Sequence, residues 1–288
     1  MSGGPAVDLP PLYPLLYEPL VRRALEEDLG RAGDLTSDAV LLPHQTASAS
    51  VVARSAGRLA GLQPALSAFR LLDPSVEIET LAADGEDMEA GAVLATIQGR
   101  ARAILSAERT ALNLLGRLCG IATVTRDMAR LVELHGARIV CTRKTTPGLR
   151  ALEKYAVRCG GGHNHRYGLD DAVLIKDNHV ALAGGLRTAV ERARRAVGHL
   201  VKIEVEVDSL DQLREALDLG VDVVLLDNMS LVTLREAVAL AKGRAIMEAS
   251  GGINPQTAAE IAATGVDLLS VGWLTHSAPS LDVALDVA

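Results

Sequence analysis

Between Cys141 and His179 the chain gathers seven lysines and arginines and three histidines, although the whole carries a formal net charge of -7. Arg143 and Lys144 are adjacent, His165 and Arg166 follow three glycines, and Lys176 closes an apolar run. Cations collected against the global charge mark a site for a small, strongly anionic ligand, because guanidinium forks and ammonium groups pair with carboxylates and phosphates. The competing reading is basic residues scattered over a surface. Two carboxylates lie further on, Glu206 and Asp227. Such a pair can hold magnesium, bond ribose hydroxyls or stabilise a developing cation. Alternatively, one of them only pairs with Lys144 or Lys176. Ser250-Gly251-Gly252 precedes a helical pattern, and Gly272 closes a later strand pattern. Glycines there let backbone amides approach an anion closely.

These residues need a frame, and the sequence supplies a rhythm. Strand patterns fall at 138–142, 172–175, 201–207, 221–226, 245–250 and 266–271. Helical patterns fall between them at 148–159, 185–197, 209–219, 230–241 and 255–264, with Ser209 as an N-cap and Asn254-Pro255 at a helix start. Alternation of short apolar strands with helices predicts parallel pairing and right-handed crossovers. Six or seven such units suggest a closed or nearly closed α/β barrel, with a doubly wound open sheet as the alternative. In a barrel the working face lies at the carboxyl ends of the strands. Arg143 and Lys144, Lys176, Glu206, Asp227, Ser250 and Gly272 each stand at such an end. Glu204 shares a strand face with Glu206, but only the residue nearer the end is expected in the site.

The N-terminal part reads differently. Residues 1–20 are rich in proline and leucine and read as an arm that packs on another surface. A helix is expected over 18–27, then a polar loop over 28–38. Residues 47–98 read as short strands with glycine turns around one helix, a small α+β unit with an antiparallel sheet. A long helix is expected from a cap at Ser106 to His135, broken near Gly116–Gly120.

Composition bounds the rest. Apolar residues make up 49% of 288 and aromatics 2%, so the core is built from Ala, Val, Leu and Ile. That suits helices on a parallel sheet. The acidic balance argues against nucleic-acid or anionic-membrane binding, and no apolar run is long enough to span a bilayer. No signal peptide is evident, and three scattered cysteines suit a reducing cytoplasm. His163 and His165 form a His-x-His pair in a loop. Zinc is one reading; donation to a carboxylate ligand is the better fit to the basic surroundings. Arg109 opens an apolar helical stretch and by pattern alone is equally an exposed surface residue.

The stretches EDLGRAGDLTSD, ERTALNLLGRLCGIAT, TRKTTPGLRALEKYAV, GGGHNHRYGLDDAVLIKDNH, EVEVDSLDQL, LLDNMS and EASGGIN with SVGWLTHSAP resemble the quinolinate phosphoribosyltransferase family, also called nicotinate-nucleotide pyrophosphorylase (carboxylating). A family tied to molybdenum transport shares the TRKT and SGG elements but is less similar around NHR and IKDNH. The resemblance implies an α+β open sandwich domain over 1–115 plus the tail 274–288. It also implies a C-terminal α/β barrel-like domain of the type II phosphoribosyltransferase kind over 116–273. It implies quinolinate and phosphoribosyl pyrophosphate as substrates, Mg2+, and a homodimer whose site is completed by the neighbouring subunit. On the family pattern Arg143, His165, Arg166 and Lys176 surround the quinolinate carboxylates, with Arg109 from the other subunit. Lys144, Glu206 and Asp227 are catalytic, the two acids facing ribose and metal. Ser250, Gly251, Gly252 and Gly272 hold the 5-phosphate. Trp273 stands where a smaller side chain is expected. Two rivals remain at this level: a barrel aldolase with a Schiff base at Lys176, and an anion-binding protein without turnover, which gains nothing from Glu206 and Asp227.

Overall fold

The computed structural model describes residues 9–288, so the start of the expected N-terminal arm lies outside the described residues. In chain order the strands are β1 (Thr46–Ala53), β2 (Gly57–Arg58), β3 (Glu77–Thr80), β4 (Asp87–Met88), β5 (Val93–Arg100), β6 (Arg138–Val140), β7 (Val173–Ile175), β8 (Ile203–Val207), β9 (Val223–Asp227), β10 (Ile246–Ser250), β11 (Leu268–Ser270) and β12 (Val283–Val287). The α-helices are α1 (Glu18–Leu29), α2 (Leu35–Val40), α3 (Leu62–Leu72), α4 (Ala101–Val132), α5 (Arg150–Cys159), α6 (Asp177–Ala183), α7 (Leu186–Ala196), α8 (Leu210–Asp218), α9 (Leu231–Ala241), α10 (Ala258–Ala262) and α11 (Trp273–His276).

Two compact units divide the chain. One holds the described residues up to Arg126 with Thr145–Gly161 and Leu274–Ala288; the other holds Asp127–Lys144 and Gly162–Trp273. The cut thus falls later than residue 115, and the segment around α5 joins the first unit. The reason is local. Glu153 on α5 is fully buried and accepts bonds from Arg117 on α4 at 2.8 and 3.2 Å. A buried carboxylate needs such donors.

In the first unit β12, β1, β5 and β3 form an antiparallel sheet in that order. The C-terminal β12 adds to β1 with Ala49 opposite Val287 and Ala53 opposite Val283. Helix α3 buries Leu62, Ala65, Leu66, Ala68 and Phe69, each side chain contributing about 1.5–3 kcal/mol when it is as large as Leu or Phe. The expected polar loop over 28–38 instead contains the start of α2. Asp34 caps it, accepting from the Ser37 amide at 3.0 Å and its hydroxyl at 2.6 Å. Helix α4 starts at Ala101 rather than at a Ser106 cap, and Ser106 donates to Asp34 at 3.0 Å. Nor does α4 break at its glycines. A Cβ on Gly116 would lie 2.7 Å from the Leu281 carbonyl oxygen, and one on Gly120 only 1.9 Å from that of Pro279. Those glycines exist for close approach of the C-terminal segment, not to end the helix.

The second unit holds six parallel strands in the order β6-β11-β10-β9-β8-β7. From β7 to β11 sequence neighbours are sheet neighbours, and β6, the first, lies beside β11, the last. A doubly wound sheet reverses direction midway; this order runs one way around, as in a barrel, and removes the open-sheet alternative. His163 adds a parallel bridge to Val140, its amide and carbonyl bonding Ile139 and Cys141 at 2.8 and 3.1 Å. His163 is therefore structural. The short α6 has no clear signature in the sequence pattern; His179 caps it, its Nδ1 accepting from the Lys176 amide at 3.0 Å. Asn254 does not start a helix at Pro255. Its side chain closes a turn with the Gln256 and Thr257 amides at 3.0 and 3.2 Å, and α10 begins at Ala258.

All three cysteines are buried free thiols, and burial pushes that of Cys119 up to about 12. No helix among the described residues is long and apolar enough to cross a membrane. Gly120→Ala is expected to destabilise the protein by about 2–3 kcal/mol, since the clash is with backbone. A denaturant midpoint lowered at unchanged slope checks it.

Candidate active site

At the carboxyl ends of the parallel strands lies a cavity of about 390 Å³. Its walls are built by register. Glu206 pairs with Leu225 and Ser250 with Asp227 across adjacent strands. Alternate residues on a strand face one side. Leu174, Leu225 and Glu248 thus share a face with residues two positions nearer the mouth, Lys176, Asp227 and Ser250, and all six line the cavity. Arg143, Lys144, His165, Arg166, Glu206, Thr142 and Ser270 complete the lining. Eight residues expected in the site, Arg143, Lys144, His165, Arg166, Lys176, Glu206, Asp227 and Ser250, are thereby brought together.

The other expected residues are placed differently. Gly251 and Gly252 follow Ser250 with φ of 97° and 62°, in the left-handed region that favours glycine. At Gly251 a Cβ would also lie 2.0 Å from the Asn228 Oδ1 atom. Neither they nor Gly272 line the cavity. Trp273 does not crowd the loop after β11. Its Nε1–H donates to the Ile253 carbonyl at 2.9 Å, tying that loop to the one after β10. Arg109 belongs to the first unit, on α4, with its side chain 66% exposed and 3.9 Å from Glu108.

Charge is crowded in the cavity. Burial, and then the nearby Arg143 charge, push the Arg166 guanidinium below its ordinary value, though it stays cationic. Arg166 donates to the Ala172 carbonyl at 3.2 Å. The Nε of Arg143 is buried with no hydrogen-bond partner. Lys176 Nζ meets Glu206 Oε2 at 2.7 Å, the lysine half exposed. Asp227 accepts from the Asn228 amide group at 2.8 Å. Glu206 and Asp227 also line a neighbouring cavity of about 250 Å³ with Asp177 and Asp208.

His165 departs from expectation. The Arg166 amide donates to its Nδ1 at 2.8 Å. A nitrogen that accepts carries no hydrogen, so the ring proton sits on Nε2, which lies 2.8 Å from Glu204 Oε2. Both ring nitrogens are engaged within the protein, and the ring has no N–H to offer a ligand. Zinc at Nε2 would need the proton on Nδ1, where the Arg166 N–H already points. Two acids lie behind this ring: Glu204, which the sequence pattern places on the Glu206 face but not in the site, and Glu248, which the sequence pattern does not single out. Glu204 is buried rather than idle, and Glu248 is 1% exposed. The available signal was position: Glu248 sits two residues before Ser250 in an apolar strand, so it shares the site-facing side.

Burial, and next the Glu204 charge, push the Glu248 carboxyl up to about 7, with His165 pulling the other way. The folded state therefore holds this proton more tightly than the unfolded chain. Its stabilising contribution is full in acid and is lost as pH rises toward and through 7. Wild-type stability is expected to fall between pH 5 and pH 8 relative to Glu248→Gln, which cannot ionise; urea melts at the two pH values check it.

Family models for the quinolinate phosphoribosyl transferase N-terminal and C-terminal domains match residues 34–119 and 121–286. A probable nicotinate-nucleotide pyrophosphorylase [carboxylating] of Bacillus subtilis (strain 168) is 45% identical over 273 residues, covering 95% of this chain and 94% of that one. The nicotinate-nucleotide pyrophosphorylase [carboxylating] of Mycobacterium leprae (strain TN) is 45% identical over 275 residues, covering 93% and 95%. Among solved structures, NadC from Streptococcus pyogenes superposes with a TM-score of 0.93 at 39% identity, covering 97% of this chain and 99% of that one. The combination of domain models, full-length relatives and superposable structures leaves one conclusion: this chain belongs to the quinolinate phosphoribosyltransferase family.

Proposed function

We propose that this enzyme transfers the phosphoribosyl group of phosphoribosyl pyrophosphate to quinolinate, forming nicotinate mononucleotide, pyrophosphate and carbon dioxide in de novo NAD synthesis. The observation that supports this most is one cavity lined by Arg143, Lys144, Arg166 and Lys176 together with Glu206 and Asp227. Four cations suit a pyridine with carboxylates on adjacent ring carbons. Two acids at the same mouth add nothing to anion binding, but they suit a reaction that builds positive charge on a sugar. The Schiff-base alternative is disfavoured, because Lys176 Nζ is already engaged by Glu206 at 2.7 Å, whereas a Schiff base needs that nitrogen as a nucleophile.

The chemistry needs position and charge rather than a protein nucleophile. The quinolinate ring nitrogen attacks the anomeric carbon as its bond to the pyrophosphate oxygen breaks. Glu206 and Asp227 face the cationic ribose that develops, and Lys144 stabilises the departing pyrophosphate. The ring nitrogen is then positively charged and stabilises negative charge on the carbon beside it. The 2-carboxylate leaves as carbon dioxide, its bonding pair stays on the ring carbon, and a proton takes its place. The donor set of Glu206 and Asp227, hard oxygens at an open mouth, fits magnesium. When bound, the ion supplies charge neutralisation at pyrophosphate. Ser250 and the loops carrying Gly251, Gly252 and Gly272 would seat the 5-phosphate. Arg109 would reach the quinolinate of a neighbouring subunit in a homodimer. The buried free thiols suit a reducing cytoplasm.

Nicotinate mononucleotide should form from quinolinate and not from nicotinate under the same conditions; the reverse preference refutes the reading. Lys144→Ala is expected to cut turnover by about two orders of magnitude or more, measured under saturating substrates. Mixing inactive Arg109→Ala and Lys144→Ala proteins should restore part of the activity, because hybrid dimers assemble one intact site. No recovery in hybrids shown to form would contradict a shared site.

A further inference from the structure

The acids beneath His165 have no part in the mechanism just described, yet both are buried, and Glu248, 1% exposed, lines the cavity. Glu248 Oε1 lies 3.8 Å from His165 Nε2, and that same oxygen is buried with no hydrogen-bond partner. The acceptor atoms of Glu204 and Glu248 and the ring nitrogen all lie within 4.8 Å of one another. Ser270 bonds the acid and draws its carboxyl down, but burial and the Glu204 charge outweigh it; the same hydroxyl lies 3.2 Å from the Ala249 carbonyl. A charged carboxylate so enclosed, with one oxygen unpartnered and a second carboxylate alongside, is unfavourable; a neutral acid is far less so. A metal ion would satisfy both acids, but the tautomer of His165 closes Nε2 to it.

We propose that Glu248 is a positioning residue for quinolinate, a neutral carboxylic acid whose proton serves Glu204, an acid with one oxygen of its own buried and unpartnered, and so holds Glu204 as the single carboxylate accepting the His165 Nε2–H. The chain of consequence runs upward into the cavity. Glu204 fixes the His165 ring, the ring's Nδ1 fixes the Arg166 amide at 2.8 Å, and the amide sets the backbone from which the Arg166 guanidinium reaches the anion. Keeping the acid neutral also spares the dianion a second negative charge beneath it. Burial and the Glu204 charge, which raise the Glu248 carboxyl, act in the same direction. The inference rests on quinolinate being the substrate.

Glu248→Leu keeps the volume but removes the polar group, and Glu248→Gln keeps a neutral donor and acceptor. Glu248→Leu is expected to raise the quinolinate KM by about tenfold or more, as when a buried polar partner is lost. The KM for phosphoribosyl pyrophosphate should stay within about threefold, and Glu248→Gln should bring the quinolinate KM back to about the same range. Equal loss in both variants, or a shift in both KM values alike, overturns the proposal. A second measurement does not depend on the variants being active. The infrared difference spectrum between wild type and Glu248→Gln at pH 6 should contain the C=O band of a protonated carboxylic acid; its absence overturns the proposal too. If wild-type protein fails to turn over quinolinate at all, the substrate reading falls, while the infrared result still reports on Glu248.

Discussion

Arg143 and Arg166 are held together in one recess against their mutual repulsion, and the rest of the site is arranged around that fact. Like charges at close range in a partly dry environment raise the free energy of the empty pocket. The fold offsets that with packing and hydrogen bonds elsewhere: the Ala172 carbonyl on Arg166, the His165 lock on its amide, and Glu204 behind the ring. A doubly charged acid entering between the guanidiniums relieves the repulsion. On the proposed function, affinity for a dianion is stored in the folded chain before the ligand arrives.

The barrel order makes this economical. Parallel strands running one way around place every carboxyl end at the same mouth, so residues far apart in sequence need no long loops to meet. At this mouth Lys176 is paired with Glu206 at 2.7 Å. The result is a graded pocket. Leu174, Leu225 and the enclosed Glu248 lie two residues deeper along their strands than Lys176, Asp227 and Ser250.

Much of this was readable from residue order. Strand positions could be read because short Val, Leu and Ile runs alternate with helical patterns, and strand ends then locate the mouth. The positions of Arg143, Lys144, Lys176, Glu206, Asp227 and Ser250 follow from that phasing. What stayed hidden depended on contacts between distant segments. Gly116 and Gly120 looked like a helix break because their reason, the backbone of residues 279–281, lies far along the chain. His165 looked like a ligand donor because sequence does not show that Nδ1 faces the next residue's amide and Nε2 a glutamate on another strand. Glu248 was masked by the apolar strand around it. The α5 segment was assigned by rhythm, whereas its Glu153 binds Arg117 in the first unit.

A crystal structure with quinolinate bound, solved at a pH near neutrality, tests the central claim most directly. The account predicts the two carboxylates seated between Arg143 and Arg166, within hydrogen-bond reach of both guanidiniums and of Lys176, with His165 still bonded to Glu204. Quinolinate lying outside this recess, or a covalent adduct on Lys176, would contradict it.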